Sequence, residues 1–257
     1  TTPLTAITNT KVLIAHGTTT DNSGANHSFT IGNNPAHDVD SPFAPAGTLY
    51  TNKYVRDTSD SAHTMELRGT AALSHTTTVS PYASGGYSAF FDGSGDYFTV
   101  PNHADFNFGT GHYTIEFWIN TRQTYAWIFF NANSNTGVRI SIGNDASSSP
   151  GQIFLNEQVS NNSNQYYSHC RIDDGSWHHV AFCRDGTTRR LFVDGKIEAR
   201  DTTTNRNLAS GDAGHIGRKE GTADATQFKG YISNFRWIKG QALYAETFTP
   251  PSALLTA

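Results

Sequence analysis

Three Asp-Gly pairs, Asp174-Gly175, Asp185-Gly186 and Asp194-Gly195, crowd into one stretch of this chain. Asp-Gly tolerates the positive φ angles of tight hairpin turns, so apolar segments beside such pairs read as strands. Here those segments are residues 177–183, 191–193 and 196–199, which together predict a meander. Residues 113–120 add a half-buried strand, with Tyr113, Ile115, Phe117 and Ile119 on one face. That alternation puts Glu116 on the opposite face, where a solvent-exposed strand residue is expected. The best helical candidate, residues 62–75, is short and Thr-rich. Regularly spaced strands with almost no helix predict an all-β fold, a two-sheet antiparallel β-sandwich, as a single domain over 1–257.

Composition sets the partners. Charged residues make up 16% of the chain, against a usual share of about 25%, while 12% aromatic content is ample for a core. The net charge is −4 and the 18 Lys and Arg are scattered, which argues against nucleic acid or an anionic membrane. No apolar run approaches the ~20 residues that span a bilayer, and no signal-peptide core is visible.

Two echoes bear on organisation. Pro3-Leu4-Thr5-Ala6 is echoed by Ala253-Leu254-Leu255-Thr256-Ala257, as in one unit of a longer repeat protein, and the chain opens on Thr1 rather than Met. Ser41-Pro42-Phe43-Ala44 is echoed by Ser80-Pro81-Tyr82-Ala83. Residues 44–79 then read as an insertion lying outside the sandwich proper.

Several motifs in order carry a family resemblance. Residues 91–101 (Phe-Asp-Gly-Ser-Gly-Asp-Tyr-Phe-Thr-Val-Pro) precede residues 113–118, then Trp177-His178-His179-Val180-Ala181-Phe182, Leu191-Phe192-Val193-Asp194-Gly195 and Gly230-Tyr231-Ile232-Ser233-Asn234-Phe235-Arg236. Residues 9–14 with 21–24 resemble the usual opening, and residues 239–244 with 248–251 the usual close. The chain resembles the concanavalin A-like laminin-G domains, particularly those of bacteriophage and other virion structural proteins. The resemblance implies a jelly roll, glycan or host-surface binding in many members, calcium in some, and an extracellular or virion-surface location.

The carboxylates do not form a hydrolase signature. Retaining glycosidases hold two carboxyl groups about 5 Å apart, and none of the six Glu has a second carboxylate two or four residues away on a strand. His178 and His179 are adjacent strand residues facing opposite ways, so a framework role is expected and no catalytic residue is assigned.

Calcium is the metal to weigh. Asp92-Gly93-Ser94-Gly95-Asp96 sets oxygen ligands at alternate positions, as calcium loops do, but the twelfth position of an EF-hand would be His103. The resemblance places Asn234 where related domains often carry a carboxylate. Asp92, Asp96 and Asn234 form the candidate calcium set; a plain hairpin turn explains the same Asp residues.

A glycan site would combine an aromatic platform with amides. Residues 131–135 and 161–165 read as polar loops, the second running into Tyr166 and Tyr167. Tyr166, Tyr167, Asn131, Asn133 and Asn164 are the candidate glycan residues. Trp118, Trp177 and Trp237 are assigned to core packing.

Three functions compete: a non-catalytic glycan- or surface-binding module, an architectural self-assembling subunit such as a capsid decoration or filament, and a glycoside hydrolase. Cys170 and Cys183 complete the expectations. If Ile172 pairs with Trp177 across a tight connection, the two Cys stand about 13 Å apart on one face. A disulfide needs Cα atoms within about 7 Å, so two free thiols are expected.

Overall fold

The structure is a computed structural model. It describes residues 10–14, 54–56, 64–68, 72–74, 81–82, 88–100, 103–132, 136–143, 149–160, 162–203, 205–208, 214–219 and 226–253. The described strands are β1 (Thr10–Ile14), β2 (Tyr54–Arg56), β3 (Thr64–Arg68), β4 (Ala72–Ser74), β5 (Ser88–Asp92) and β6 (Tyr97–Val100). Next come β7 (Tyr113–Asn120), β8 (Ala126–Ala132), β9 (Thr136–Ile142), β10 (Gln152–Val159) and β11 (Asn162–Arg171). The last are β12 (Trp177–Asp185), β13 (Thr188–Val193), β14 (Lys196–Thr202), β15 (Gly214–Ile216) and β16 (Lys229–Lys239). The only helix among the described residues is a 3-10 turn, Ala104–Phe106.

These strands make two antiparallel sheets. The first runs β14-β13-β12-β7-β16-β5-β4, with β1 also on β16; the second runs β11-β10-β9-β8-β15-β6-β3-β2. The predicted meander is β12-β13-β14, joined through Asp185-Gly186 and Asp194-Gly195. Asp174-Gly175 behaves differently. It carries the chain from β11 in the second sheet to β12 in the first, so Ile172 and Trp177 are not hairpin partners. Both cysteines are free, but they do not share a face. Cys170 packs against the inter-sheet core, and Cys183 lies on the outer face of the first sheet.

The described residues within 62–75, 64–68 and 72–74, are the strands β3 and β4 rather than helix. With β2 they also fall within 44–79, and they pair onto the sandwich, β3 on β6 and β4 on β5. These strands extend both sheets rather than standing apart from them. The echoed residues 3–6 and 41–44 lie outside the described residues, as does the end of the closing echo beyond Ala253.

The core is aromatic. Trp237 stacks on Phe108 at 4.3 Å, and Phe117 on Phe235 at 5.7 Å. Trp118 and Trp177, expected in this core, are only half-buried. One irregularity organises the centre of the first sheet. The register slips between Ser233 and Arg236, where Asn234 takes a left-handed φ of 50°. A bulge shifts the in-out phase by one residue. Ile232, Phe235 and Trp237 therefore all join the core, and Arg236 is turned outward opposite Glu116.

That outer face is sealed, and Glu116 is fully buried rather than solvent-facing. Residues 240–250 cross it as a strap. The Thr114 hydroxyl donates to Gln241 O and accepts from Leu243 N. Phe248 N donates to Gly195 O at 2.9 Å, and the Tyr244 and Phe248 rings stack 3.6 Å apart. Beneath them Glu116 binds Arg236 through Oε1 and accepts from Tyr244 OH at 2.8 Å through Oε2, with His179 Nε2 at 3.2 Å. Burial alone would raise the Glu116 carboxyl, but the Arg236 charge and the His179 and Arg236 hydrogen bonds outweigh it and hold it at about 2. Between the sheets, a second buried carboxylate, Glu157, accepts from Tyr113 OH at 2.6 Å and Arg189 Nε at 2.9 Å.

Candidate functional site

The outer face of the second sheet differs from that of the first. Ladder register aligns Thr99, His215, Phe130, Arg139, Asn156 and Gln165 across β6, β15, β8, β9, β10 and β11. Glu66 of β3 stands next in register beyond Thr99. A neighbouring row brings Tyr167, Phe154, Ser141 and Trp127 together. Cross-strand partners share a face, so these rows form one surface of rings, amides and charged residues on the side away from the inter-sheet core. Its middle is buried, with Phe154 1% and Phe130 3% exposed. Its two ends are partly open.

At one end, β11 and β14, the edge strands of the two sheets, flank an open groove of about 470 Å³. Gln165, Tyr166, Tyr167 and His169 line it from β11, and Glu198, Ala199, Arg200 and Asp201 from β14. The register of β14 slips at Glu198, since Leu191 pairs with Ala199 but Phe192 with Ile197. The bulge aims Glu198 across the edge, where Oε2 accepts from His169 N at 2.7 Å and Cys170 N at 3.0 Å. Burial, then the Glu198 carboxylate, pushes the Cys170 thiol up to about 11. Tyr167 lies half-buried against Phe154, ring centroids 4.9 Å apart.

At the other end cations sit on rings. The Arg218 guanidinium lies 3.8 Å from the Tyr97 ring centre, Arg139 lies 5.3 Å from Phe130, and Lys219 Nζ lies 5.5 Å from Trp127. His215 packs beside Tyr97, and its Nδ1 is buried without a partner, as is Asn156 Oδ1. Burial, with the Arg218 charge, holds His215 down at about 4, so it is neutral at physiological pH.

The residues expected to bind glycan are therefore divided. Tyr166 and Tyr167 sit within β11, not beside a loop, and point to opposite faces. Tyr166 reaches the groove from the core side at 5% exposure, with its hydroxyl 3.5 Å from Asp201 Oδ2. Residues 162–165 are likewise strand; Asn164 faces the core side and accepts from Arg206. Asn131 belongs to β8 and points inward beside Val138, fully buried, with neither amide atom bonded. Asn133 lies outside the described residues. Phe154, Asn156, Arg139 and His215 were missed, because no local motif marks them; only the register assembles the row.

The proposed calcium residues are also apart. Asp96 Oδ2 accepts from Asp92 N at 2.8 Å and Asp92 Oδ1 from Ser94 N at 2.7 Å, the pattern of a hydrogen-bonded turn. Asp92 pairs with Lys229, leaving Asn234 five residues further along β16, about 16 Å away. Asn234 instead donates to Tyr82 OH. Among the described residues, no group of three or more His, Cys, Asp or Glu side chains is placed to hold a metal ion. His178 bridges Asp194 and Asp174.

A family model described as "Concanavalin A-like lectin/glucanases superfamily" matches residues 92–247, more than half of the chain. The chain belongs to this superfamily. No curated protein sequence matches it significantly. Among solved structures, the binding domain of Paraclostridial Mosquitocidal Protein 1 is similar, with a TM-score of 0.60 at 14% identity. The match covers 76% of this chain and 48% of that one. The ligand-binding domain of botulinum neurotoxin serotype D, in complex with N-acetylneuraminic acid, gives 0.56 at 14% identity, covering 74% and 45%. Domain 4 of AbnA, a GH43 extracellular arabinanase from Geobacillus stearothermophilus in complex with arabinotriose, gives 0.50 at 21%, covering 68% and 77%. The chain thus spans about half the length of the two toxin domains, and at these identities the likeness is one of fold. No helix among the described residues is long and apolar enough to cross a membrane.

Proposed function

We propose that this domain is a non-catalytic glycan-binding module of a virion or cell-surface protein, binding along the outer face of its second sheet. One observation carries the reading: the register lines up rings, amides and charged residues on that face, where the first sheet has a strap. Sugars present C–H faces to rings and hydroxyls to amides and guanidinium groups, and Tyr167, Gln165 and Arg200 offer all three at the groove. The carboxylates of Glu116 and Glu157 are wholly buried in ion pairs, and that of Glu198 is held by backbone amides. This supports binding rather than hydrolysis. The sugars bound by the botulinum and AbnA domains, N-acetylneuraminic acid and arabinotriose, fit the same reading on a shared fold.

A glycan array with and without calcium tests it, using the wild-type chain and Tyr167→Ala. Hits lost in the variant support the module. Self-assembly with no hit would favour an architectural subunit, and release of reducing ends would make the domain a hydrolase. Hits that vanish on chelation would bring the 92–96 loop into the site.

A further inference from the structure

Four arginines are buried among the described residues: Arg184, Arg189, Arg190 and Arg236. Three of them are matched. Arg184 donates to the carbonyls of Gly109, Gly111 and Arg206, with Glu157 at 3.7 Å. Arg189 binds Glu157 and the Thr187 and Thr203 carbonyls, and Arg236 binds Glu116. Arg190 is the exception. It is 7% exposed, and its Nε and Nη1 are buried without a hydrogen-bond partner.

Register explains where this guanidinium stands. On the outer face of the first sheet, Thr114, Cys183, Arg190 and Arg200 lie side by side across β7, β12, β13 and β14. The strap covers the start of that row, where Thr114 bonds Gln241 and Leu243, and leaves its end open. Thr114 and Cys183 are 0% exposed, Arg190 7%, and the Arg200 side chain 54%. Arg190 therefore sits where the cover runs out, opposite a second cation. Like charges opposed across a ladder repel each other, and a buried charge without a partner destabilises the fold. The carboxylates of this face are committed elsewhere. Glu116 is bound to Arg236, and Asp185 to His112 at 2.8 Å. Glu246 lies 3.8 Å from Arg200, but its side chain is 72% exposed and solvent screens that pair.

We propose that Arg190 and Arg200 form a binding site for an oxyanion (a sulfate, phosphate or carboxylate group) at the open margin of the strap. A guanidinium is a planar fork of donors that matches two oxygens of such a group. Arg190 brings the buried, pre-positioned fork, and Arg200 a second charge from the edge strand. Cys183, next to Arg190 in register, belongs to an apolar cluster with Phe192 and Tyr244. Water is excluded on that side, which strengthens the attraction between guanidinium and anion. The site faces outward from the first sheet and is separate from the row on the second. Arg200 also lines the groove, so Arg190 is the residue that tells the two sites apart.

The 257-residue chain, in a chloride buffer of low ionic strength, is titrated by calorimetry with sulfate, phosphate and acetate. At least one should give saturable binding, and the one that binds most tightly identifies the oxyanion. Arg190→Met should weaken that binding about tenfold. Arg200→Gln should weaken it less, because its charge is already exposed to solvent. Tyr167→Ala, which tests the glycan groove, should leave it unchanged. Sulfate also acts on proteins by exclusion from their surface, an effect that does not saturate. A response that is the same in wild type and Arg190→Met would therefore overturn the site, as would no saturable binding of any of the three. Should Arg190→Met fail to fold, Arg190→Lys keeps the charge and loses the fork. Weaker binding by Arg190→Lys supports the site, and unchanged binding overturns it. Neither result bears on whether the second sheet binds glycan.

Discussion

The outer faces of the two sheets use polar side chains in opposite ways. On the first sheet, Glu116, Arg236, His179 and Tyr244 close on one another under the strap, and the Glu116 carboxylate is fully engaged. On the second, Asn156, His215 and Arg218 keep unpartnered atoms. Polar groups that satisfy each other hold a fold, whereas polar groups left unsatisfied along a surface row are available to a ligand. The first face has orphaned atoms too, at His179 Nδ1 and Arg236 Nη1, but they lie beneath the strap; cover by residues 240–250, rather than hydrogen-bond satisfaction, distinguishes the two faces.

The largest effect should come from breaking the sealed face. Arg236→Met leaves the Glu116 charge buried without its main partner, which costs about 3–5 kcal/mol. Urea denaturation should show that loss, and the double variant Glu116→Gln with Arg236→Met should recover much of it. The pH dependence follows the same pair. Glu116 titrates at about 2 in the folded chain against 4.5 unfolded. Its contribution is complete above pH 4.5 and is lost as pH falls through about 2. A single variant no less stable than wild type would mean the cluster does not hold this face together.

Gly195 sharpens the comparison. It sits at φ 76°, and a Cβ there would meet Phe248 O at 1.9 Å, so Gly195→Ala must displace the strap. Gly186 has a similar left-handed φ of 58° but nothing within 4 Å. Its alanine variant should show only the backbone cost, about 1–2 kcal/mol. Cys183, buried beneath the strap, reports the difference. Native-state alkylation should accelerate in Gly195→Ala and stay slow in Gly186→Ala. Equal rates would mean that the strap is not seated through Gly195.

Much of the fold was legible, and the reason is local. Alternation in residues 113–120 and the Asp-Gly turns after β12 and β13 are properties of a few neighbouring residues, and each element appears where expected. Glu116 was misread because alternation reports which side of a strand a residue takes, not whether a later segment covers that side. Asn234 was taken as a calcium ligand by resemblance, while its left-handed φ sets the bulge that turns Arg236 outward. The candidate site was the least legible part. Its row draws one residue from each of six strands, and sequence spacing carries no trace of that register. Of the residues expected to bind glycan, Tyr167 lines the groove from the outer face, although its strand was read as the flank of a loop.

Asn131 offers a smaller test inside the sandwich. Both its amide atoms are buried without partners beside Val138, and no open surface lies on that side. Asn131→Leu keeps the approximate volume and removes the unpaired groups, so it should stabilise by about 1 kcal/mol. Asn156→Leu should change stability little and weaken polysaccharide binding, since Asn156 faces outward in the proposed row. If Asn131→Leu destabilises the chain, its amide is satisfied in solution and the contrast between inward and outward orphans fails.

The smallest effect concerns His178, where the two sheets connect. Its Nδ1 lies 2.8 Å from Asp194 Oδ2 and its Nε2 3.2 Å from Asp174 Oδ1. The Asp194 hydrogen bond, opposed by burial and aided by the nearby Asp194 and Asp174 charges, raises the imidazole above its usual 6.5. A raised histidine binds its proton more tightly when folded. Its contribution is therefore complete below pH 6.5 and is lost as pH climbs through the higher folded value. Both carboxylates are well exposed, 45% and 59%, so solvent screens the pair and the effect should be modest. His178→Gln keeps a hydrogen-bonding side chain without a titration. Urea midpoints of wild type and variant should lie furthest apart in mild acid and converge above neutrality. Curves that stay parallel across that range would show that His178 titrates independently of folding, and the Asp194 contact would then serve only to set the turn.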